Sequence, residues 1–397
     1  MIIMRILAND GLVEDGVKIL RDEGFEVDTT KRSPEDLVKE ISGFDALLVR
    51  SATKVTREVI EAGTKNGGRL KIVGRGGVGT DNIDLAAAGE CGVIVKFAPN
   101  GNTNATAEHA LGLMFAIARR VPFAHATLKG GTWKKKAFVG FELMGKTLGI
   151  IGCGRIGQAL ALKAKGIGMR VIGFDMYHSI DSEVEYMDTV EDVLKRSDFV
   201  SLHTGGTKVI IGEKELEIMK DTAFLVNASR GKNVSEEALY NALKSGVIAG
   251  AALDCYESEP KLEDAPFENR LQELDNLVFS AHLGASTRNA SRRTGMEVAE
   301  VVANYLTRGD FRNSVNVGQN VEEEGKEIYT VFITHEDKPG MFGKIATTFG
   351  NLGINIRENN SRELNGGVQT VYSIHQKLTD EVLDVLRKIE GIRRVSL

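Results

Sequence analysis

The sequence predicts an α/β protein: two doubly wound parallel-sheet domains followed by a small C-terminal βαββαβ module. Three features predict it. Short β-rich runs alternate with helical stretches from the N-terminus onward, a glycine-rich turn joins one such run directly to the next helix, and the strand–turn–helix pattern restarts beyond the acidic run Glu322-Glu323-Glu324. A chain of 397 residues has room for two or three domains, each with a core of its own.

The first set of runs lies at 6–8, 46–49, 72–73 and 93–95. Their alternation with helices implies a parallel sheet covered on its faces. After Pro99 comes a Gly/Asn/Thr-rich turn, and 105–121 is then almost continuously apolar, as expected of a helix packed between two domains. The chain is expected to cross into a second domain there. Six further strands are read at 148–151, 171–174, 199–202, 224–226, 251–253 and 277–280. A helix at 287–306 returns the chain to the first domain and closes a cleft between the two. The expected domains are thus 1–98 with 285–318, 99–284, a solvated acidic linker at 319–326, and 327–397. In the last, a strand from Ile328, the Pro339-Gly340 turn, a helix, a strand at 354–356 and a Gly366-Gly367 hairpin fit a ferredoxin-like module.

Composition narrows the function. A formal net charge of −5, with acidic and basic residues nearly balanced, leaves no basic footprint for nucleic acid or an anionic membrane. No stretch is apolar and long enough to span a bilayer, and residues 1–7 lack a signal-like pattern, which predicts the cytoplasm. Cys91, Cys153 and Cys255 are odd in number and far apart, so neither a disulfide framework nor a zinc-ligand spacing is expected. They read as small buried apolar residues, and no metal is called for.

Directly after the 148–151 strand stands Gly152-Cys153-Gly154-Arg155-Ile156-Gly157, opening a helix. Glycines at this spacing permit a tight turn, close approach of backbone to a pyrophosphate and close packing of helix on strand, with the helix N-terminus facing the phosphates. Asp175 ends the next strand about 20 residues on, where a carboxylate accepts hydrogen bonds from ribose hydroxyls. Met176, Tyr177 and His178 follow it, with no arginine for a 2′-phosphate. A Rossmann domain binding NAD rather than NADP is expected, although Asp175 is also compatible with a polar strand end.

Arg230, Glu259 and His282 lie just beyond the C-terminal ends of successive strands of this domain, the edge where open α/β sheets bind ligands. Oxidising a 2-hydroxy acid needs a base for the hydroxyl proton, and His282 titrates in the useful range. A carboxylate such as Glu259 fixes the ring's tautomer and stabilises its protonated form. Arg230 offers a planar, permanently charged fork for the substrate carboxylate and the C2 oxygen. Singly, each fits a plainer role: surface cation, turn acid before Pro260, structural histidine. Jointly they follow strands of one sheet that also carries the nucleotide motif.

With the glycine motif, the segments Asn227-Ala228-Ser229-Arg230-Gly231, Ala252-Leu253-Asp254-Cys255-Tyr256 running to Glu259-Pro260, and Ala281-His282-Leu283-Gly284-Ala285-Ser286-Thr287 resemble the D-isomer-specific 2-hydroxyacid dehydrogenases over essentially the first 318 residues. The resemblance gives Arg230, Glu259 and His282 the family's catalytic places and implies a flavodoxin-like substrate domain. It places His203, Thr204, Ala228, Ser229, Asp254, Gly284 and Ala285 around NAD. Gly74 to Gly79 with Asp81-Asn82, and Pro99 to Thr103, look most like the branch that oxidises 3-phosphoglycerate toward serine. That likeness implies Arg50, Ser51 and Arg75 for the phosphate and Gly77, Val78 and Asn102 near the carboxylate, with surface roles left open for both arginines. Trp133-Lys134-Lys135-Lys136 either adds positive field from a neighbouring subunit or is simply exposed. Two departures from the family pattern stand out: Gly205-Gly206 after His203-Thr204, and Val78 where a threonine is usual.

His335 to Gly340 and Gly353-Ile354-Asn355-Ile356 resemble the ligand turn and strand of ACT domains, which pair side by side and bind amino acids at the seam. The resemblance implies His335, Asp337 and Asn355 as contacts for L-serine, a homo-oligomer (dimer or tetramer), and feedback regulation; a dimerising module with an empty seam is the other reading. Alternatives for the whole chain are a reductase of glyoxylate, hydroxypyruvate or 2-oxoglutarate on the same mechanism, and a non-catalytic NADH-sensing protein on the same scaffold.

Overall fold

A computed structural model describes residues 3–176, 182–206, 208–260, 264–316, 329–364 and 367–396. Tyr177, His178, the expected acidic linker and Gly366 lie outside these. The chain forms two compact units, Met1–Gly101 with Arg292–Leu397, and Asn102–Ser291.

In the first unit the strands lie in the order Glu26–Asp28, Arg5–Ala8, Ala46–Val49, Ile72–Arg75, Ile94–Phe97, all parallel. This is the 2-1-3-4-5 order of flavodoxin-like sheets. Because side chains alternate across a strand, Ile6, Ala8, Leu48 and Ile72 face Val298, Ala299 and Val302 of the helix Arg288–Arg308, whereas Leu7, Leu47 and Val73 face Leu37, Val59 and Ile60. Gly74 permits the first packing: a Cβ there would stand 3.1 Å from Val298 Cγ2. The strand Glu26–Asp28 is absent from the sequence reading because two of its three residues are charged and it forms the sheet edge, where no apolar run is needed.

The second unit carries a seven-stranded sheet in the order Leu277–Phe279, Gly250–Leu253, Phe224–Asn227, Phe199–Leu202, Thr147–Ile151, Arg170–Phe174, Glu185–Tyr186. Every pairing is parallel. The order reverses between Thr147–Ile151 and Phe199–Leu202, the switch point at which such sheets bind nucleotides. The apolar stretch expected at 105–121 is a helix, Thr103–Ala118, packing Ala110, Leu113, Met114 and Ile117 against Leu148, Val171 and Val226.

The unit boundaries fall a few residues later than the expected 98/99 and 284/285. Asn100 and Gly101 donate their backbone N–H groups to the Glu297 carboxylate at 3.1 and 2.8 Å, which ties that turn to the return helix.

The C-terminal module forms the expected antiparallel sheet, in the order Ile356–Leu364, Gly367–Ile374, Tyr329–His335, Ile392–Ser396. Helices Met341–Asn351 and Asp380–Arg387 supply Ile345, Phe349, Leu383 and Leu386 to the core on one face. The strand expected at 354–356 begins at Ile356, and Ile354 instead fills that core. On the opposite face Phe332 and Val371 join the core of the first sheet, with the Phe332 and Phe311 rings 4.4 Å apart. Arg394 lies over Gly92, where any side chain would collide with its guanidinium. The module therefore docks its helix-free face on the rest of the first unit at Phe311 and Gly92.

Candidate active site

The glycine turn has the close packing and the open side that a pyrophosphate-binding loop requires. Gly152 sits at φ +93°, and a Cβ there would press 2.7 Å from the His203 backbone; at Gly157 it would collide with the carbonyl of Gly152. At Gly154 the same atom would meet open space, the approach that a phosphate requires. The helix Arg155–Gly166 starts there, with Arg155 exposed and Ile156 half-buried. Cys153 N–H donates to Asp175 Oδ2 at 2.7 Å, which holds the expected ribose acceptor beside the loop.

The neighbouring strand ends complete this face. His203 shares a hydrogen bond with Ser201 Oγ at 2.8 Å, and its Nδ1 is buried without a partner among the described residues. Burial lowers its pKa to about 4, so the ring is neutral. Thr204 Oγ1 and Ser229 Oγ both donate to Asn233 Oδ1, and Ser229 N–H donates to Asn227 Oδ1 at 3.1 Å. Asn227 and Asn233, neither singled out from sequence, thereby shape the turn through Ala228, Ser229 and Arg230. Arg230 directs Nη1 to the Ser229 carbonyl at 2.9 Å.

His282 and Glu259, distant in sequence, meet as expected: His282 Nδ1 stands 2.8 and 3.0 Å from the two Glu259 oxygens. The pair is solvent-accessible, with 53% and 35% of the respective side chains exposed. Contacts with Cys255 and Glu259 raise the imidazole above its ordinary value, which strengthens it as a proton acceptor. Burial pushes the Cys255 thiol above its ordinary value, which keeps it protonated. His282 adopts φ +51°, a conformation uncommon outside glycine and concentrated at functional sites.

Asp254 explains how that conformation is held. Its carboxylate, 1% exposed, accepts from Leu283 N–H and Gly284 N–H, each at 2.8 Å, and from Ser280 Oγ at 2.6 Å, with His109 Nε2 at 3.0 Å. Burial alone would raise this acid, but hydrogen bonds from His109, Ser280 and Leu283 override it and hold it at about 2. Asp254 thus pins the turn through His282, Gly284 and half-buried Ala285. The sequence offered no sign of His109 in this role.

By sequence Cys255 reads as a small buried apolar residue. It is buried, but Sγ donates to the Ser229 carbonyl at 3.5 Å, the same oxygen that Arg230 uses, and lies within 4.8 Å of ligand atoms of Glu259 and His282. The thiol links the arginine and histidine branches of the site. Cys153 is buried as expected, and Cys91 is only half-buried.

Arg50, Ser51, Arg75, Gly77 and Val78 belong to the first unit, Asn102 to the second. Arg50 and Arg75 close neighbouring parallel strands, with Val49 opposite Arg75. Arg50 is anchored by its N–H on Asp10 Oδ2 at 2.7 Å and by Asn82 Nδ2 on its carbonyl at 2.8 Å. Arg75 directs Nη1 to the Gly76 carbonyl at 3.1 Å. Gly77, at φ +138°, leaves room for that guanidinium, which a Cβ would displace. Ser51 and Val78 are exposed. Asn102 precedes the helix Thr103–Ala118, and its Oδ1 is buried without a partner among the described residues.

One expected effector contact fails. His335 is 1% exposed; its Nδ1 engages the Glu336 carbonyl at 2.8 Å and its Nε2 the Thr370 hydroxyl at 2.9 Å. Lying on a central strand, it is a satisfied core histidine, not a surface ligand. Asp337 and Asn355 are exposed.

Comparison with known proteins shows what the chain is similar to. Residues 111–284 match the D-isomer specific 2-hydroxyacid dehydrogenase, NAD binding domain, and residues 329–391 match the ACT domain. The chain is 41% identical to a D-3-phosphoglycerate dehydrogenase of Methanocaldococcus jannaschii, across 97% of this chain and 70% of that protein. It is 43% identical to a hydroxypyruvate reductase of Thermotoga maritima, across 76% of this chain and 98% of that one. The cofactor(NAD+)-bound 3-phosphoglycerate dehydrogenase of Entamoeba histolytica aligns with a TM-score of 0.65 at 26% identity, covering 79% of this chain and 99% of that one. Against a D-3-phosphoglycerate dehydrogenase of Archaeoglobus fulgidus the chain spans 64% of the relative's length.

Proposed function

The chain belongs to the D-isomer specific 2-hydroxyacid dehydrogenase family, and from that premise we propose that it oxidises 3-phosphoglycerate to 3-phosphohydroxypyruvate with NAD, the first step toward L-serine. The observation that carries the chemistry is the His282–Glu259 pair at 2.8 Å, tied through Cys255 and the Ser229 carbonyl to Arg230 in the unit that holds the glycine turn. NAD supplies the acceptor for the C2 hydride. Arg230 binds the substrate carboxylate and draws charge from the C2 oxygen. Glu259 occupies Nδ1, so Nε2 of His282 takes the hydroxyl proton, and Glu259 then stabilises the imidazolium. Asp254 is a positioning residue: by holding Leu283 and Gly284 it aims the ring. Asp175 receives the ribose hydroxyls, while the backbone at Ala228-Ser229 and Gly284-Ala285 and the edge of Asp254 frame the nicotinamide end.

The substrate is argued from Arg50 and Arg75 on adjacent strand ends, since a phosphate dianion uses two guanidinium groups and a neutral hydroxymethyl end uses neither. The Thermotoga maritima relative keeps reduction of hydroxypyruvate as the competing reading. Steady-state kcat/KM on 3-phosphoglycerate, glycerate and 2-hydroxyglutarate decides. A preference for 3-phosphoglycerate of tenfold or more, about 1.4 kcal/mol, is expected, and equal or better turnover of glycerate would refute the assignment. Absence of turnover on all three would favour the non-catalytic NADH-sensing reading.

Among the described residues no helix is long and apolar enough to cross a membrane. A homo-oligomer is proposed on a second observation. The helix Val121–Lys129 buries none of its residues, and Val121, Leu128, Trp133, Val139 and Met144 are each more than half exposed. In Trp133→Glu combined with Leu128→Lys, light scattering is expected to fall to the 43.1 kDa monomer; an unchanged mass would put the interface elsewhere.

L-serine is proposed as effector at the exposed Asp337 and Asn355, acting through the docking of Phe332 on Phe311. Deleting residues 327–397 would strip Phe311 of its cover, so the cleaner variant is Asn355→Ala in the full chain. Serine is expected to inhibit the parent, with a half-inhibiting concentration at least tenfold higher in the variant. An unresponsive parent reduces the module to assembly.

A further inference from the structure

Cys255 takes no part in the proposed reaction, yet its sulfur is aimed at the two residues that do. Its Sγ, a carboxylate oxygen of Glu259 and a ring nitrogen of His282 lie within 4.8 Å of one another, and among the described residues no other trio of His, Cys, Asp or Glu converges in this way. Thiolate, imidazole and carboxylate are the donors preferred by zinc and by similar borderline-soft dications, and three protein ligands leave a fourth position open. We propose that Cys255, Glu259 and His282 form a latent site for such a cation, whose binding switches the enzyme off.

The physical case rests on access, spacing and second-layer support. His282 and Glu259 reach solvent, so a hydrated cation can arrive from that side, while Cys255, 2% exposed, closes the site from beneath. Bonds of about 2.0–2.3 Å in a tetrahedron put ligand atoms about 3.3–3.8 Å apart. The His282–Glu259 contact at 2.8 Å must therefore open slightly, and any separation near the 4.8 Å limit must close by about 1 Å, movements that the partly exposed glutamate allows. The turn that carries His282 is already fixed by Asp254, so the imidazole needs no reorganisation. On binding, the cation takes the place of the thiol proton, which passes to solvent, and of the proton between His282 Nδ1 and Glu259, which is carried to Nε2 so that the imidazole ligates as a neutral ring. Coordination consumes the base and its orienting carboxylate together, so inhibition follows without any contact to substrate.

The test has one arm independent of turnover. Co²⁺ added to the full-length protein is expected to bind at one equivalent, with visible d–d bands of a four-coordinate ion and a near-ultraviolet thiolate charge-transfer band. Cys255→Ser and Cys255→Val are each expected to lose the charge-transfer band; two replacements of different polarity guard against a folding artefact in either. In the second arm Zn²⁺ is expected to inhibit the parent reversibly, with activity restored by chelator. The inhibiting concentration, taken relative to each protein's own uninhibited rate, should rise about 10–100-fold in both variants. Co²⁺ binding without the thiolate band, or equal zinc sensitivity in parent and variants, overturns the site. Failure of the kinetic assay alone would count against the proposed reaction and leave the spectroscopic arm to decide the metal site.

Discussion

Replacing His282 with alanine is expected to lower the rate of hydroxy-acid oxidation by about 10²–10⁴-fold, the usual contribution of a positioned acid–base group, while NADH binding stays nearly intact. The two effects separate because the ring is not part of the nucleotide cradle. Gly152, Gly157 and the Cys153–Asp175 hydrogen bond are built from the other half of the sheet and do not depend on residue 282. The backbone at 282 should survive as well, since its N–H donates to the Asp254 carbonyl at 2.8 Å and the following two N–H groups are held by the Asp254 carboxylate. Steady-state kinetics together with fluorescence titration of NADH measure both quantities. A variant turning over near the parent rate shows that another group takes the proton; lost NADH binding shows a structural role instead.

The second large effect is one of specificity. Arg75→Ala should reduce kcat/KM on 3-phosphoglycerate by about 10–150-fold, as removal of a hydrogen bond to a charged group costs about 1.5–3 kcal/mol, with little change on glycerate or 2-hydroxyglutarate. Gly77→Ala reaches the same end by another route, because the added methyl takes the space of the Arg75 guanidinium. Its φ of +138° adds backbone strain, so its loss should be at least as large. Equal losses on all three substrates in Arg75→Ala would mean that the arginine supports the fold and does not read the phosphate.

Much of this was legible before any coordinates. The rhythm of apolar runs and helices marks the buried strands because a parallel sheet covered on both faces needs continuous apolar segments. It misses Glu26–Asp28 and Glu185–Tyr186, which lie at sheet edges and bury little. Arg230, Glu259 and His282 were recognisable because each follows a strand of one sheet, so their common edge is a consequence of topology. His335 shows the limit of motif reasoning. The turn it opens is recognisable, but whether its ring faces solvent or core depends on Thr370, a residue 35 positions away.

What the sequence determined by itself is local: the glycine turn, the acid at the end of the next strand, and the order of strands that brings distant ends to one rim. Tertiary structure alone decided which polar groups satisfy one another. Asp254 meets His109 across 145 residues, and Cys255 meets Ser229 across 26. The reason is physical: strand and turn preferences act over a few neighbouring residues, whereas a buried carboxylate or thiol takes its partners from whatever the packed layers bring within about 3 Å.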